Sequence, residues 1–179
     1  MKQTSKVALC GVLSALSVML MLLTVIPIAT YALPAMAGAV LIPIVVEAGP
    51  RWGWMSYAAV AILCLLIGPE PEAKVLFVTF FGYYPVLKAQ LERLHKRWVE
   101  WVIKLAVFNV AIVGSYLLMT FVLHLPMDFD LFGLDIRVFL LGMLIAGNVV
   151  FVIYDLALTN VITAYWVRLH PKLTRLFRH

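Results

Sequence analysis

The longest uncharged run of this chain constrains its fold most strongly: no Asp, Glu, Lys or Arg occurs between residues 7 and 46. A helix that crosses the hydrocarbon core of a bilayer needs about 20 apolar residues. The run is long enough for two such helices, and Pro27 and Pro34 bracket a turn between them. Hydrophobic residues make up 64% of the 179 positions and charged residues 13%, against about 25% in a soluble domain. This composition argues against a soluble enzyme, a disordered tail and a disulfide-rich secreted scaffold.

Further apolar segments follow the first run and complete a helical membrane bundle. Pro43 predicts a kink in the second segment. Pro85 lies inside the fourth, and the sequence leaves open whether that helix continues through it. No internal repeat or long linker divides the chain. We therefore predict an all-α, integral membrane six-helix bundle in a single domain 1–179, with spans over residues 7–26, 31–48, 53–69, 75–94, 101–125 and 136–167.

The distribution of basic residues predicts the orientation of this bundle, because cytoplasmic loops are enriched in Lys and Arg. With the N-terminus inside and six crossings, 12 of the 14 basic residues fall in inner segments, all except Lys74 and Arg137. The five tryptophans fall at inner helix ends, where indoles favour the headgroup layer. Both termini are therefore predicted to be cytoplasmic, in a plasma membrane that we expect to be bacterial. The net charge of +5 reflects this orientation, and no nucleic-acid partner is expected.

Helix one carries small residues at helical spacing. Gly11 and Ala15 are four positions apart, as are Cys10 and Ser14. Small residues at this spacing let another helix backbone approach closely inside a membrane. They form either a groove for a neighbour in the same bundle or a docking surface for a separate membrane subunit.

Asp155 is the clearest ionisable residue at membrane depth, and such residues are costly in lipid and often functional. Asn148 and Thr159 share its helical face. One interpretation is a buried ion pair with Lys104 or Lys88, which start near the inner interface. The other is a proton or cation relay, although relays usually use chains of such groups.

An uncharged polar set is predicted in the outer half of the bundle. It comprises Thr79, Tyr83, Tyr84, Tyr116 and Asn148. Hydroxyl groups, an amide and aromatic rings suit a small neutral or aromatic ligand in an apolar pocket. The same groups could instead form hydrogen bonds between helices.

Two inner segments, 87–101 and the tail 166–178, have apolar residues on one side and charged residues on the other. In the first, Lys88, Glu92 and Lys96 form a ladder along the polar side. Both segments are expected to lie in the inner headgroup region, where anionic lipid attracts them.

The sequence lacks the common motifs of catalytic and metal-binding sites. Cys10 and Cys64 lie in apolar runs, so no disulfide or zinc site is indicated. There is no phosphate-binding Gly loop, HExxH, CxxC or G-x-S-x-G motif. We expect no metal, no cofactor and no enzymatic activity.

The whole pattern resembles the substrate-binding S component of an energy-coupling-factor (ECF) vitamin transporter. The resemblance rests on the small-residue first helix, on the proline-flanked stretch 27–34, and on the Gly49-Pro50-Arg51-Trp52-Gly53 turn, which is similar to the family's Gly-Pro-x-x-Gly. The family has two alanines four apart in its first helix, where this chain has Gly11 and Ala15.

This resemblance implies six helices with both ends cytoplasmic and a ligand pocket open to the outside. It also implies a transmembrane coupling subunit docked against Gly11 and Ala15, and two cytoplasmic ATPases that supply energy. The ligand itself does not carry over, because no vitamin-specific signature is present. The alternative is a non-catalytic membrane scaffold of cell-envelope morphogenesis or sporulation.

Overall fold

A computed structural model describes the backbone of residues 3–26, 29–92, 96–122 and 136–168. In these residues the regular structure is entirely helical. The helices are α1 (Gln3–Leu22), α2 (Ala32–Ala39), α3 (Ile42–Ala48), α4 (Pro50–Ile67), α5 (Pro71–Leu76), α6 (Tyr84–Leu91), α7 (Arg97–Leu117) and α8 (Ile136–Arg168). A 3₁₀ turn extends α1 over Leu23–Val25, and π-helical segments follow α5 and α7 over Phe77–Phe81 and Leu118–Val122.

Four of the helical segments are long and apolar enough to cross a membrane. Their outward faces carry large apolar side chains, with Val12, Leu66, Val110 and Val150 all at least 64% exposed. Soluble monomers rarely expose apolar surface on this scale. The fold is therefore that of a helical membrane protein. The four segments are Gln3–Val25, Pro50–Ile67, Arg97–Phe121 and Leu141–Arg168.

The predicted second span, 31–48, consists of two short helices rather than one kinked helix. α2 ends at Ala39, and α3 begins at Ile42 with Pro43 in its first turn. Proline is tolerated in a first turn because the N–H that it lacks would have no helical partner there. The distortion expected at Pro43 is therefore a turn at Val40 and Leu41, just before the proline, where the backbone keeps right-handed helical dihedral angles.

The predicted fourth span, 75–94, is also discontinuous. It begins earlier, at Pro71, and passes through the π-helical segment Phe77–Phe81 before a turn at Gly82 and Tyr83. α6 then starts at Tyr84 with Pro85 in its first turn. The helix does not continue through Pro85, because a new helix starts there.

The discontinuous segments lie between two pairs of long helices. α1 packs on α4. α1 also contacts α2 and α3, and α4 contacts α3. On the other side, the π-helical segment Phe77–Phe81 packs on α7, which contacts α8. The core accordingly has two clusters, one around Met21, Leu41 and Phe77 and the other around Phe80, Phe108 and Phe151.

Several expectations fall outside the described residues. These are the amphipathic tail beyond residue 168, the end of the predicted fifth span and the following loop over 123–135, the inner basic residue Arg93, and the first two residues of the proline-flanked stretch at 27–28.

Candidate functional site

Charged side chains meet where α6, α7 and α8 come together, and Asp155 of α8 is at their centre. Asp155 is 2% exposed, and both of its carboxylate oxygens accept hydrogen bonds. Lys88 Nζ lies 2.6 Å from Asp155 Oδ1, and Lys104 Nζ lies 3.2 Å from Oδ2. The Tyr84 hydroxyl donates to Oδ1 at 2.6 Å. One carboxylate therefore connects α8 to both α6 and α7.

Two more carboxylates contact the buried lysines. Lys88 Nζ lies 2.6 Å from Glu92 Oε1. Lys104 Nζ lies 2.6 Å from Glu100 Oε1 and 3.6 Å from Glu92 Oε1. It also lies 5.4 Å from the centre of the Trp101 ring, a distance typical of cation–π contact. Buried charges are stable only when they are paired. We call this group the Asp155 network: Tyr84, Lys88, Glu92, Glu100, Lys104 and Asp155.

Helical spacing explains how a short stretch of sequence supplies so many members of this network. Tyr84, Lys88 and Glu92 follow one another at intervals of four, as do Glu100 and Lys104, and residues four apart share a helix face. The structure thus brings together the three residues grouped as a buried ion pair, and both lysines contact the acid. Sequence analysis missed Glu100 as a member, although its spacing from Lys104 was the available signal.

One expectation about this region is wrong. The sequence pattern predicts Lys88 on a polar ladder in the headgroup region, but its side chain is fully buried. Glu92 is partly exposed, and Lys96 is exposed. The reason is that the segment 84–91 packs between α3, α4 and α7 instead of lying at the surface.

Four of the five predicted ligand residues make contacts that the structure describes, each with a different partner. Tyr84 belongs to the Asp155 network. The Thr79 hydroxyl lies 2.6 Å from that of Ser115 on α7. The Tyr83 ring stacks on Trp54, with centroids 6.2 Å apart and planes within 13°.

The other two members of that predicted set lie on α7 and α8. Asn148 exchanges two amide hydrogen bonds with Asn109, at 3.0 and 3.1 Å. Asn148 therefore pairs with α7 rather than with Asp155. Thr159, the other residue predicted on the same face, donates a hydrogen bond to the backbone carbonyl of Asp155. Tyr116 is half-buried on α7.

The two discontinuous segments cross at very short range, which sequence analysis did not predict. A Cβ atom on Gly38 would lie 2.0 Å from the backbone oxygen of Phe81. Only glycine allows this approach, because any other side chain would overlap with backbone. The crossing therefore fixes α2 against the end of the π-helical segment in the middle of the bundle.

Hydroxyl groups from the long helices satisfy backbone carbonyls near both breaks. In a regular helix the Ala37 carbonyl would accept from the Leu41 N–H, but that N–H bonds to Gly38 instead. The Ser17 hydroxyl of α1 donates to the Ala37 carbonyl at 2.9 Å. The Tyr57 hydroxyl of α4 donates to the Val78 carbonyl in the π-helical segment at 2.7 Å. Such partners are what allow broken helices at membrane depth.

The small residues of α1 lie on two different faces. Cys10 is buried in the core, whereas Gly11 and Ala15 are exposed. A Cβ atom on Gly11 would meet nothing within 4 Å. The Gly11–Ala15 face is therefore not a groove for a described neighbour in this bundle.

Comparison of the chain with protein-family models, with curated proteins and with solved structures gives no match.

Proposed function

We propose that the chain crosses the plasma membrane six times with both termini in the cytoplasm. In this arrangement α2–α3 and α5–α6 each count as one discontinuous crossing, beside the four long helices. Basic residues concentrated at one side and tryptophans at the same helix ends support this orientation. A cysteine introduced at Lys96 tests it. A membrane-impermeant thiol reagent should label this site only after the cells are opened, and labelling of intact cells would contradict the topology.

We further propose that the chain is the small-molecule-binding subunit of an ECF-type uptake transporter, and is not itself an enzyme. The observation that carries this proposal is the outward direction of Gly11 and Ala15. Without a hydrophobic driving force between helices in lipid, association depends on close packing at small residues. An exposed small-residue face on the first helix is therefore suited to a separate transmembrane coupling subunit.

The discontinuous segments support a role in binding a transported molecule. Helices broken near the middle of a bundle are the recurrent way in which transporters expose backbone groups to a substrate. Here the two breaks meet at the Gly38 crossing, between the two pairs of long helices. Part of the proposed outer pocket, the loop after the fifth crossing, falls within 123–135.

Purification of the tagged full chain from its native membrane tests the coupling partner. We expect a transmembrane subunit and two ATPases to co-purify with the wild type and to be lost from the double variant Gly11→Leu/Ala15→Leu. Gly142→Leu on α8 is the matched control, because Gly142 also has nothing within 4 Å of its Cβ position. Equal recovery of the partners with all three proteins would refute docking at α1.

Ligand binding has its own test. A ligand that binds the folded chain raises its apparent stability. A panel of vitamins and nucleobases should therefore contain at least one compound that raises the melting temperature of the purified chain. A panel without any such compound would count against the binding subunit.

The alternative, a membrane scaffold, is favoured by one observation: Thr79, Tyr84 and Asn148 are already hydrogen-bonded within the bundle. A scaffold predicts co-purification with cell-envelope proteins but without the two ATPases. The same purification therefore distinguishes the two functions.

A further inference from the structure

An open cleft lies at the first turn of α7. Its volume is about 220 Å³, and the described residues that line it are Arg97, Trp98 and Trp101. Their side chains share one cleft because residues three and four positions apart are neighbours on a helix surface. Arg97 also begins a segment that is long and apolar enough to cross a membrane. The cleft therefore lies where this segment would leave the hydrocarbon core and enter the headgroup layer.

Two exposed basic residues, Lys96 and Arg97, stand at this cleft. Glu100 is at helical spacing from both of them, but its carboxylate lies 2.6 Å from Lys104 Nζ instead. Within the ranges that the structure describes, neither Lys96 nor Arg97 has an ion-pair partner. Their charges are therefore available to an anion from outside the chain.

The sequence places no further acid near this end of α7. Positions 93–95 are Arg, Leu and His, and the tail 169–179 contains neither Asp nor Glu. The acids outside the described ranges are Asp128, Asp130 and Asp135, which follow the opposite end of α7 in the sequence. That end is about 30 Å from Arg97, because α7 has 21 residues and each rises about 1.5 Å. The excess of positive charge at the cleft therefore follows from the sequence as well as from the ion pairs.

The aromatic part of the cleft suits the boundary between lipid headgroups and acyl chains. The Trp98 side chain is 87% exposed. Indoles are enriched at this boundary, because one part of the ring system is apolar and the N–H is polar. The outward face of α7 continues from Trp98 with Val102 and Val110, which are both exposed. An acyl chain can lie along these valines while its headgroup occupies the cleft.

We propose that this cleft binds an anionic phospholipid. The Arg97 guanidinium holds the phosphate, Lys96 adds a second positive charge, and the acyl chains lie against Trp98 and Val102. A guanidinium group binds phosphate through two parallel hydrogen bonds. A zwitterionic lipid binds less well, because it brings its own cationic group next to these two basic residues. The site needs neither a transported ligand nor a coupling subunit, so its loss would leave the proposed transport function untouched.

Brominated lipids test the proposal, because bromine quenches tryptophan fluorescence only at short range. The purified full chain is reconstituted into two kinds of vesicle of identical composition, phosphatidylcholine with a minor fraction of phosphatidylglycerol. The bromine is on the phosphatidylglycerol in one kind and on an equal amount of the phosphatidylcholine in the other. The signal of Trp98 is the difference between each protein and its Trp98→Phe derivative. We expect phosphatidylglycerol to be preferred at Trp98 by at least about fivefold. Equal quenching by the two brominated lipids would overturn the proposal.

Variants assign the preference to the cleft. Arg97→Gln should reduce it about fivefold. Arg51→Gln is the matched control, because it removes the same charge from an exposed position at the start of α4, on the same predicted side of the membrane. It should leave the preference at Trp98 unchanged.

Three results with these samples would refute the site. The preference could survive Arg97→Gln, or Arg51→Gln could lower it as much as Arg97→Gln does, which would show general attraction to the surface. Inorganic phosphate at constant ionic strength could abolish it, which would show that the cleft takes free phosphate and not a lipid. The comparison of the two brominated lipids on the wild type decides the matter if Arg97→Gln fails to fold.

Discussion

Replacement of Asp155 by asparagine should destabilise the bundle strongly, because one carboxylate connects three helices. Its oxygens accept from Tyr84 and Lys88 on α6 and from Lys104 on α7. Asparagine has nearly the same shape, and its amide oxygen can still accept from the Tyr84 hydroxyl. The substitution therefore removes the charge while it changes packing very little.

The size of the effect depends on the ion pairs that each lysine keeps in the Asp155→Asn variant. Removal of one partner from a buried ion pair costs about 3–5 kcal/mol. Lys88 would still contact Glu92, and Lys104 would still contact Glu100, both at 2.6 Å. We therefore expect the lower end of this range, about 3 kcal/mol. At about 2–4 °C for each kcal/mol in a chain of this size, the melting temperature should fall by about 6–12 °C.

The chain carries its own reporter for this measurement. Cys10 and Cys64 are both free thiols buried in the core. A dye that becomes fluorescent on reaction with thiols will report their exposure as the purified chain unfolds on heating. Glu70→Gln also removes one acidic charge, but outside the network, and its melting temperature should stay close to that of the wild type.

A second variant distinguishes the loss of charge pairing from general damage. In Lys88→Met/Asp155→Asn the ammonium group that loses the Asp155 carboxylate is also removed, and replacement of both partners of a buried pair is often nearly neutral. The double variant should therefore melt above Asp155→Asn alone. The reasoning fails if Asp155→Asn melts within about 1 °C of the wild type, the range of surface substitutions, or if the double variant is no better than the single one.

The helix breaks give two further predictions, measured with the same thiol assay. Gly38→Ala should lower the melting temperature strongly, because its Cβ would overlap with the Phe81 backbone oxygen. Gly114→Ala, on an outward face with open space at its Cβ, is the control and should melt at or above the wild type. Equal melting of the two would contradict the crossing. Ser17→Ala leaves the Ala37 carbonyl without its hydroxyl partner and should cost about 1–3 kcal/mol, and an unchanged melting temperature would show that another donor replaces it.

The long helices could be predicted from sequence because their signal is local. Each is a continuous apolar run, so Gln3–Leu22, Pro50–Ile67 and Arg97–Leu117 begin within a few residues of the expected positions. An ion pair of Asp155 with Lys104 or Lys88 could also be predicted, because a charge at membrane depth needs a partner and few cations lie within reach. The structure has both lysines on the carboxylate.

The breaks could not be predicted in the same way, because the groups that stabilise them are distant in sequence. The hydroxyl that satisfies Ala37 comes from Ser17, 20 positions away, and the one that satisfies Val78 comes from Tyr57, 21 positions away. Pro43 and Pro85 were visible signals. A proline in an apolar run, however, fits a kink as well as a new first turn, and only the tertiary partners decide between the two.

The break in the fourth segment is also what makes the Asp155 network possible. At about 100° per residue, positions 79 and 88 of an unbroken α-helix would project in directions about 180° apart. In this chain the Thr79 hydroxyl contacts Ser115 of α7, and Lys88 contacts Asp155 of α8, which packs beside α7. The π-helical segment and the turn at Gly82 change the phase between the two positions, so both side chains face the α7–α8 pair. A single helix over 75–94 could supply one of these contacts but not the other. The discontinuity therefore places Tyr84 and Lys88 on the carboxylate, with Glu92 one turn further on beside Lys88.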